Sequence, residues 1–505
     1  MNYNYEELNS RQQTYIPTGD LRVAPFEIEQ LHSVEIRQGI NEHGTLYLTG
    51  LLKDTQTDDD LRATEGGNIA LFALGASEEA YVLFQGIVES VAIVNIHGTR
   101  YIEVRAISYS YILDIEKRRR SFQDKNKTYT DLIKQVAGAY GGAAVADVVS
   151  NGAPTNKFIM QHEETDWAFL KRLASHFNTG LLCDVRFDKP ACYFGVPESG
   201  AFKIDDSNYT YKMDLQRFYE LSDNGVNGIS SDDFIRYEVD TNCVVMIGDS
   251  IKFDNTQFYV SEIVATADKE LFVSRLALMP KKGLSQPYQP NNGVIGASYS
   301  GTILDIRNDQ VKIGLGIDAG HDPGTPCWFP YSTIYSSRGG SGWYCMPEKG
   351  DSIRIYFPDG EDDHAYAISS VHEQVDDDAG QRGGGGGGGQ SGGAGGYSGN
   401  RDNPDVKSLT YGDKEIRLTP EGVYIITEGS MITMTEDGIM VSTENDIEFC
   451  SDMSIVLNAE EDVNVVGTSG VELDTETAAL IIEEDIWLRS PNSEPVFSGV
   501  NKNID

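Results

Sequence analysis

Apolar residues recur with a period of eight between Gly422 and Leu473. A Gly, Ser or Asp heads each octad, and the residues one and three places later are apolar except at Thr433. Side chains two residues apart along a strand lie on the same face. The head residues suit a kink or a tight turn. The pattern therefore predicts a short repeating β-unit, which is typical of solenoids and fibres.

A strand with one narrow apolar edge cannot bury that edge alone, and its unpaired backbone groups invite pairing with another chain. Three copies closed around one axis would satisfy both needs. The sequence thus predicts an intertwined triple-stranded β-helix in a homotrimer, with an axis-facing set that consists of Val423, Ile425, Met431, Ile439, Val441, Ile447, Phe449, Ile455, Leu457, Val463, Val465, Val471 and Leu473. A β-sandwich segment and a single-chain β-helix are the alternatives. A sandwich varies its turn spacing, and single-chain coils usually need more residues per turn.

Short runs of alternating polar and apolar residues predict further strands upstream of this stretch. Five such runs occur in residues 1–120, and a second series occupies residues 244–279. Turn signals separate them, so each series predicts a barrel-like or sandwich-like β-subdomain. Thr128–Ala139 and Thr165–Phe177 instead have helical spacing, with Thr128 or Thr130 and then Thr165 as caps. The basic residues Lys117–Arg120 are interpreted as a solvated turn or, in a trimer, as a surface facing an acidic neighbour.

The charge of the chain narrows the choice of partners. The net charge is −38, and residues 401–505 contain 23 Asp and Glu against 6 Lys and Arg, which gives −17 for that segment. Nucleic acids demand clustered cations, and anionic membranes repel a surface of this sign. The six cysteines form no CxxC pair and are expected to be mostly buried thiols. No secretory signal pattern opens the sequence, and no run of apolar residues is long enough to span a membrane.

Two phrases in the first half of the chain are specific to a known family. Ser121–Ile133 and His162–Leu181 resemble the hub domain of VgrG-type spike proteins, which belong to contractile injection systems such as type VI secretion systems and phage tails. Pro347–Phe357 resembles the small OB-type barrel of the same family, and Arg401–Leu409 resembles the entry to its needle. The resemblance therefore covers nearly the whole chain in the family's domain order.

The resemblance implies a mainly β fold with an N-terminal β-barrel hub, a few helices, an OB-type barrel and a C-terminal intertwined triple-stranded β-helix, assembled as a homotrimer. The predicted domains are a hub of two β-barrel-like subdomains plus helices at 1–290, an OB-type barrel at 291–375, and a needle at 401–505. A Gly-rich linker or loop at 376–400 contains the seven glycines Gly383–Gly389.

The function implied by the resemblance is mechanical. A trimeric spike at the tip of a contractile injection system would adapt the inner tube to the needle and puncture the target envelope. Its partners would be the inner tube protein and baseplate components, with a PAAR-like tip protein and cargo effectors as further candidates, and without nucleic acid or stable membrane insertion. The chain would be made in the bacterial cytoplasm, assembled into the particle, and found outside the cell or in the target envelope after contraction.

The sequence offers no candidate chemistry for an enzyme. It has no GxSxG elbow and no HExxH motif, so we predict no catalytic, cofactor or metal site. The aromatic residues Trp328, Phe329, Trp343 and Tyr344 of the barrel are interpreted as core or trimer contacts rather than as a platform for single-stranded nucleic acid. Two rival functions remain, namely an envelope-degrading spike enzyme and a receptor-binding tail-fibre protein.

Overall fold

The computed structural model describes residues 16–57, 67–74, 80–198, 202–204, 208–268, 270–332, 346–369, 406–411 and 413–466. The predicted axis residues Val471 and Leu473 and the glycine tract Gly383–Gly389 lie outside this part of the chain. The chain forms two compact units, residues 1–377 and residues 378–505.

The first unit begins with a hub built mainly from strands. Strands β1–β6 are Leu21–Ala24, Ile28–Gly39, Thr45–Leu52, Asn68–Leu74, Ala80–Ile96 and Thr99–Ser108. Strands β7–β11 are Lys117–Phe122, Ala144–Asp147, Ile159–Thr165, Leu181–Cys183 and Ala191–Phe194. Strands β12–β17 are Phe202–Lys203, Thr210–Met213, Ile235–Thr241, Ser250–Phe253, Thr256–Asp268 and Leu271–Met279.

Strands β12–β17 repeat the connectivity of strands β1–β6, and we call these two sets repeat 2 and repeat 1. In each set the fifth and sixth strands form a hairpin, the sixth pairs with the third, and the third pairs with the second. The fourth strand pairs with the fifth, and the first with the fourth. β2 of repeat 1 pairs with β16 of repeat 2, so both sets belong to one 12-stranded sheet.

One apolar core serves both repeats. Leu46, Leu48 and Val104 of repeat 1 and Ile263 and Leu276 of repeat 2 are buried in the same cluster. In β3 the buried residues alternate with more exposed ones, because successive side chains of a strand point to opposite faces. The period-two pattern of the sequence thus directs the apolar side chains of both repeats into one shared core, not into two separate cores.

Three α-helices accompany the hub strands: α1 at Tyr129–Ala137, α2 at Asp166–Ser175 and α3 at Leu215–Asp223. The hydroxyl of Thr128 accepts a hydrogen bond from the backbone N–H of Asp131, and Thr165 accepts one from Ala168. Such caps satisfy amide groups that the first helical turn leaves unpaired. The spacing predicted an apolar stripe on each of α1 and α2, and the two stripes pack together in a second core.

The basic residues Lys117–Arg120 lie in β7, so their interpretation as a solvated turn is wrong. β7 pairs with β9, and the Arg120 side chain is buried. Its guanidinium donates hydrogen bonds to the carboxylate of Asp166 and to the side-chain oxygen of Gln161. Buried cations need such partners, which residues distant in sequence supply here.

The segment predicted as an OB-type barrel follows the hub within the same unit and forms a five-stranded sheet, and we keep the name barrel for it. Its strands β18–β22 are Ser298–Arg307, Gln310–Leu315, Trp328–Pro330, Ser352–Tyr356 and Tyr366–Ile368, in the sheet order β20-β19-β18-β21-β22. Phe329 is buried in the barrel core, whereas the ring of Trp328 contacts the cations of Arg307 and Lys312, at 4.7 and 4.8 Å from the ring centroid. The barrel core also contains Phe158 and Met160 of the hub.

A buried charge network joins α2 to the barrel. The Arg172 guanidinium donates to the Asp362 carboxylate at 3.1 Å, to Glu164 at 2.8 Å and to the Met160 carbonyl at 2.6 Å. Asp362 also accepts from the Asn291 side chain at 2.8 Å. Burial opposes the positive charge of Arg172, but the two carboxylates outweigh it and raise its pKa. The buried charged groups at the boundary between hub and barrel are therefore paired by hydrogen bonds.

We expect Arg172→Ala to lower the free energy of unfolding of the hub–barrel unit by about 3–5 kcal/mol, because it leaves the Asp362 carboxylate buried without its cation. Urea denaturation of the full chain, followed by intrinsic fluorescence, measures the change. The matched control is Arg275→Ala, which removes an exposed ion pair with Asp240 and should cost about 1 kcal/mol or less. Equal losses in the two variants would contradict this account of the boundary.

Candidate functional site

The second unit contains a five-stranded antiparallel sheet in chain order. Its strands β23–β27 are Lys407–Tyr411, Lys414–Thr419, Gly422–Thr427, Ser430–Thr435 and Gly438–Thr443. From β24 onward, six-residue strands alternate with two-residue turns, which together produce the period of eight. Gly429 has a φ of +75°, a backbone conformation that favours glycine at such a turn.

Acidic residues occupy the turns of this sheet rather than its apolar side. The turns contain Glu421, Glu428, Glu436 and Asp437, and Glu444 follows the last strand. The backbone N–H of Glu444 donates to the Gly429 carbonyl, which ties the end of β27 to an earlier turn. Negative charge is thus concentrated at the ends of the strands, where water solvates it.

The central part of one face of the sheet is apolar, and we call it the apolar face. Register partners in an antiparallel sheet share a face. The pairings connect nine residues in this way: Leu409, Ile416, Leu418, Val423, Ile425, Ile432, Met434, Ile439 and Val441. Six of them rank among the exposed large hydrophobic residues of the chain, and Ile439 is 73% exposed. A continuous apolar surface of this kind marks an interaction site.

The opposite face of the sheet is mixed. Glu415 and Arg417 form an ion pair there at 2.5 Å, beside Tyr424, Thr433 and Ser442. The Thr433 hydroxyl is buried without a hydrogen-bond partner. The two faces therefore differ in chemistry. The polar side chains on the side of the apolar face lie at the strand ends, namely Lys407, Lys414, Thr427, Ser430 and Thr443.

The structure brings together Val423, Ile425, Ile439 and Val441 of the predicted axis set on the apolar face. It places Met431 on the opposite face, where its register partners are Ile426 and Ser442. Each two-residue turn reverses the strand, so the positions that face one way in one octad face the other way in the next. Ile432 and Met434 occupy the apolar-face positions of this octad instead. Their apolar side chains were the only feature of the sequence that could have indicated this.

Residues 445–466 continue the octad pattern without forming a strand within the described chain. The predicted axis residues here are Ile447, Phe449, Ile455, Leu457, Val463 and Val465, and all six are exposed. Phe449 is 72% exposed and Leu457 is 73% exposed. Each would gain about 1.5–3 kcal/mol from full burial, so this segment also presents surface suited to a partner.

The described residues hold no group of three or more His, Cys, Asp or Glu side chains placed to bind a metal ion. Within the same residues, no helix is both long and apolar enough to cross a membrane. Cys183, Cys192 and Cys327 are buried, Cys243 is half-buried and Cys450 is exposed, all as free thiols.

The hub and the overall fold are similar to proteins of contractile tails. Residues 37–183 match the family model of the phage tail baseplate hub (GPD). The E. coli c3393 protein is described as a component of the type VI secretion system with structural similarity to the T4 bacteriophage tail proteins gp27 and gp5. It is 13% identical to this chain, with a TM-score of 0.51 over 70% of this chain and 99% of its own.

A chain of the lidded Francisella PdpA–VgrG complex is 10% identical, with a TM-score of 0.51 over 87% of this chain and 82% of its own. The predicted resemblance to VgrG-type spike proteins is confirmed. The VgrG-like fold is mainly β with few helices, as expected for a baseplate hub and tail-spike type of protein. A comparison with curated proteins found no match.

The face assignment in this VgrG-like chain can be tested with two neighbouring substitutions. We expect Ile432→Asp to abolish association through the apolar face, because a carboxylate there would be buried among apolar side chains. Met431→Asp, on the mixed face, should leave most of the association intact. Sedimentation velocity of both variants measures the outcome. If Met431→Asp lost association while Ile432→Asp kept it, the octad positions, and not this register, would define the buried side of the sheet.

Proposed function

We propose that this chain is the subunit of a homotrimeric spike of a contractile injection system. The nine-residue apolar face is the observation that carries the proposal, because a single chain leaves it in contact with water. Three copies that turn this face toward a common axis would bury it completely. Their turns, rich in Glu and Asp, would remain in solvent at the edges of the assembly.

The strands of the C-terminal unit would pair in two ways, within one chain in its first part and between chains in its second. The inner strands of residues 407–443 pair on both sides within one chain, so three copies would supply three separate sheets around the axis. Residues 445–466 have the same apolar spacing without strand partners in the described chain. Strands from the other copies would pair with this segment, which supports an intertwined triple-stranded β-helix there.

The duplication of the hub supports a role as an adaptor. Each chain contributes repeat 1 and repeat 2 with the same connectivity in one sheet. A three-fold ring of such chains would present six similar units. A ring of six units can match a six-fold inner tube, while the C-terminal apolar face requires three-fold packing. The chain would therefore change the symmetry between the tube and the needle.

The work of such a spike is mechanical rather than catalytic. We propose that sheath contraction drives the needle into the target envelope and that interchain pairing keeps the needle stiff. Baseplate components and the inner tube protein are the expected partners, and the fold shared with the PdpA–VgrG complex supports a place for cargo effectors. The spike would be made in the bacterial cytoplasm and would lie outside the cell or in the target envelope after contraction.

Trimerisation of the full chain is the direct test. We expect mass photometry to show a species of three times the 55.6 kDa subunit mass. Such a trimer should persist at high salt, since screening weakens ion pairs but not apolar burial. A monodisperse monomer with native β-structure would overturn the proposal.

A second test addresses residues 445–466. Phe449→Asp should remove the SDS- or protease-resistant trimer, because three carboxylates would meet near one axis. The adjacent Glu448→Lys should retain it, since an exposed substitution typically changes the free energy of unfolding by about 0.5 kcal/mol or less. Resistance that is equal in both variants would mean that this segment does not close around a shared apolar axis.

A further inference from the structure

The boundary between hub and barrel has a second contact, formed by a single loop of the barrel. A short 3-10 helix at Gly316–Asp318 places the Asp318 carboxylate against β7, where it accepts from the backbone N–H of Ser121 at 2.7 Å and from its hydroxyl at 2.6 Å. The backbone N–H of Gln123 donates to the Pro323 carbonyl at 2.7 Å. Residues 316–324, which we call the docking loop, are thus held to β7 by hydrogen bonds.

His321 of the docking loop lies between two groups whose hydrogen-bonding roles are fixed. Its Nε2 is 2.9 Å from the Ser121 carbonyl, which can only accept, so Nε2 carries the proton. Its Nδ1 faces the Gln135 amide nitrogen at 3.5 Å. The oxygen of that amide accepts from the Lys127 ammonium, and its nitrogen donates to the Asp322 carbonyl at 3.0 Å. The Gln135 amide therefore cannot flip to exchange its oxygen and nitrogen, and Nδ1 of His321 must remain an acceptor.

A proton on Nδ1 would convert this arrangement into two donors that face each other. The Lys127 and Arg120 cations also oppose a charged imidazole, while Asp318 favours it. The other histidine contact between hub and barrel behaves differently. His162 faces the Tyr299 hydroxyl, which can donate to a neutral ring or accept from a charged one. The hydrogen bonds around His321 therefore fit only a neutral imidazole, whereas those around His162 fit either charge state.

We propose that the hub–barrel boundary is an acid-sensitive junction in which protonation of His321 releases the docking loop from β7. The Arg172–Asp362 network at the other contact contains no histidine and stays in place. Release therefore begins at the docking loop, and the barrel loosens on the hub without separating from it. The junction is firm at neutral pH and opens in mildly acidic surroundings.

The direction of the pH effect follows from the pKa of His321. Burial is the largest influence and lowers this pKa in the docked state, whereas an undocked imidazole titrates near its ordinary value of about 6.5. The undocked state therefore binds the proton more readily, and docking weakens as the pH falls below about 6.5. Burial raises the pKa of Asp318, so protonation of this carboxylate favours docking and opposes the effect of His321.

Hydrogen exchange of the full chain between pH 7.5 and 5.5 tests the proposal. After correction for intrinsic exchange, protection of the Ser121 and Gln123 amides should fall by up to about tenfold between pH 6.5 and 5.5. The Met160 amide, which donates to Asp362, should keep its protection and serves as the internal reference. Unchanged protection of Ser121 and Gln123 in the wild-type chain would overturn the proposal.

Two variants assign the effect to His321. His321→Gln retains a donor toward the Ser121 carbonyl but cannot titrate, so its protection should not depend on pH. Gln135→Glu gives the protonated Nδ1 an acceptor and should also remove the acid-induced loss, even if His321→Gln disturbs the loop at every pH. His97→Gln, at the exposed turn after β5, is the control and should behave as the wild type. Acid-induced loss of wild-type size in both His321→Gln and Gln135→Glu would refute the assignment.

Discussion

Burial of one apolar sheet face is the constraint on which the C-terminal unit depends. Nine aliphatic or Met side chains share that face, and the described residues of a single chain leave most of them exposed. Burial of each large side chain stabilises the protein by about 1.5–3 kcal/mol, whereas ordering the strand costs conformational entropy at every residue. The unit therefore favours association, and the acidic turns fit this requirement because charge stays at the strand ends.

The hub meets the same requirement within one chain. Duplication lets β2 pair with β16, so each repeat covers an edge and part of the core of the other. The barrel is then attached through buried polar groups such as Arg172 and Asp362, together with the apolar side chains of Phe158 and Met160. Buried ion pairs add little net stability compared with apolar contacts, but they demand one relative orientation. Such a boundary suits two domains that must hold a fixed alignment.

Local signals in the sequence predicted most of the elements. The caps Thr128 and Thr165, the apolar stripes of α1 and α2, and the strand character of the first three octads depend on near neighbours only, and the structure contains all three. The side on which Met431 lies depends on how each turn reverses the strand, which apolar spacing alone does not encode. The burial of Arg120 depends on Asp166, and the joining of β2 to β16 spans more than two hundred residues. Such long-range pairing leaves no periodic trace in the sequence.

The two kinds of contact should respond to acid in opposite ways. The nine residues of the apolar face contain no titratable group, so their burial is independent of pH in itself. The chain carries a net charge of −38, and partial neutralisation of its carboxylates reduces repulsion between copies. Mild acid therefore favours contact between chains while the neutral imidazole of His321 becomes harder to maintain inside each chain. Because the two effects act on different surfaces, the hub–barrel boundary can loosen while the proposed association of the C-terminal units persists.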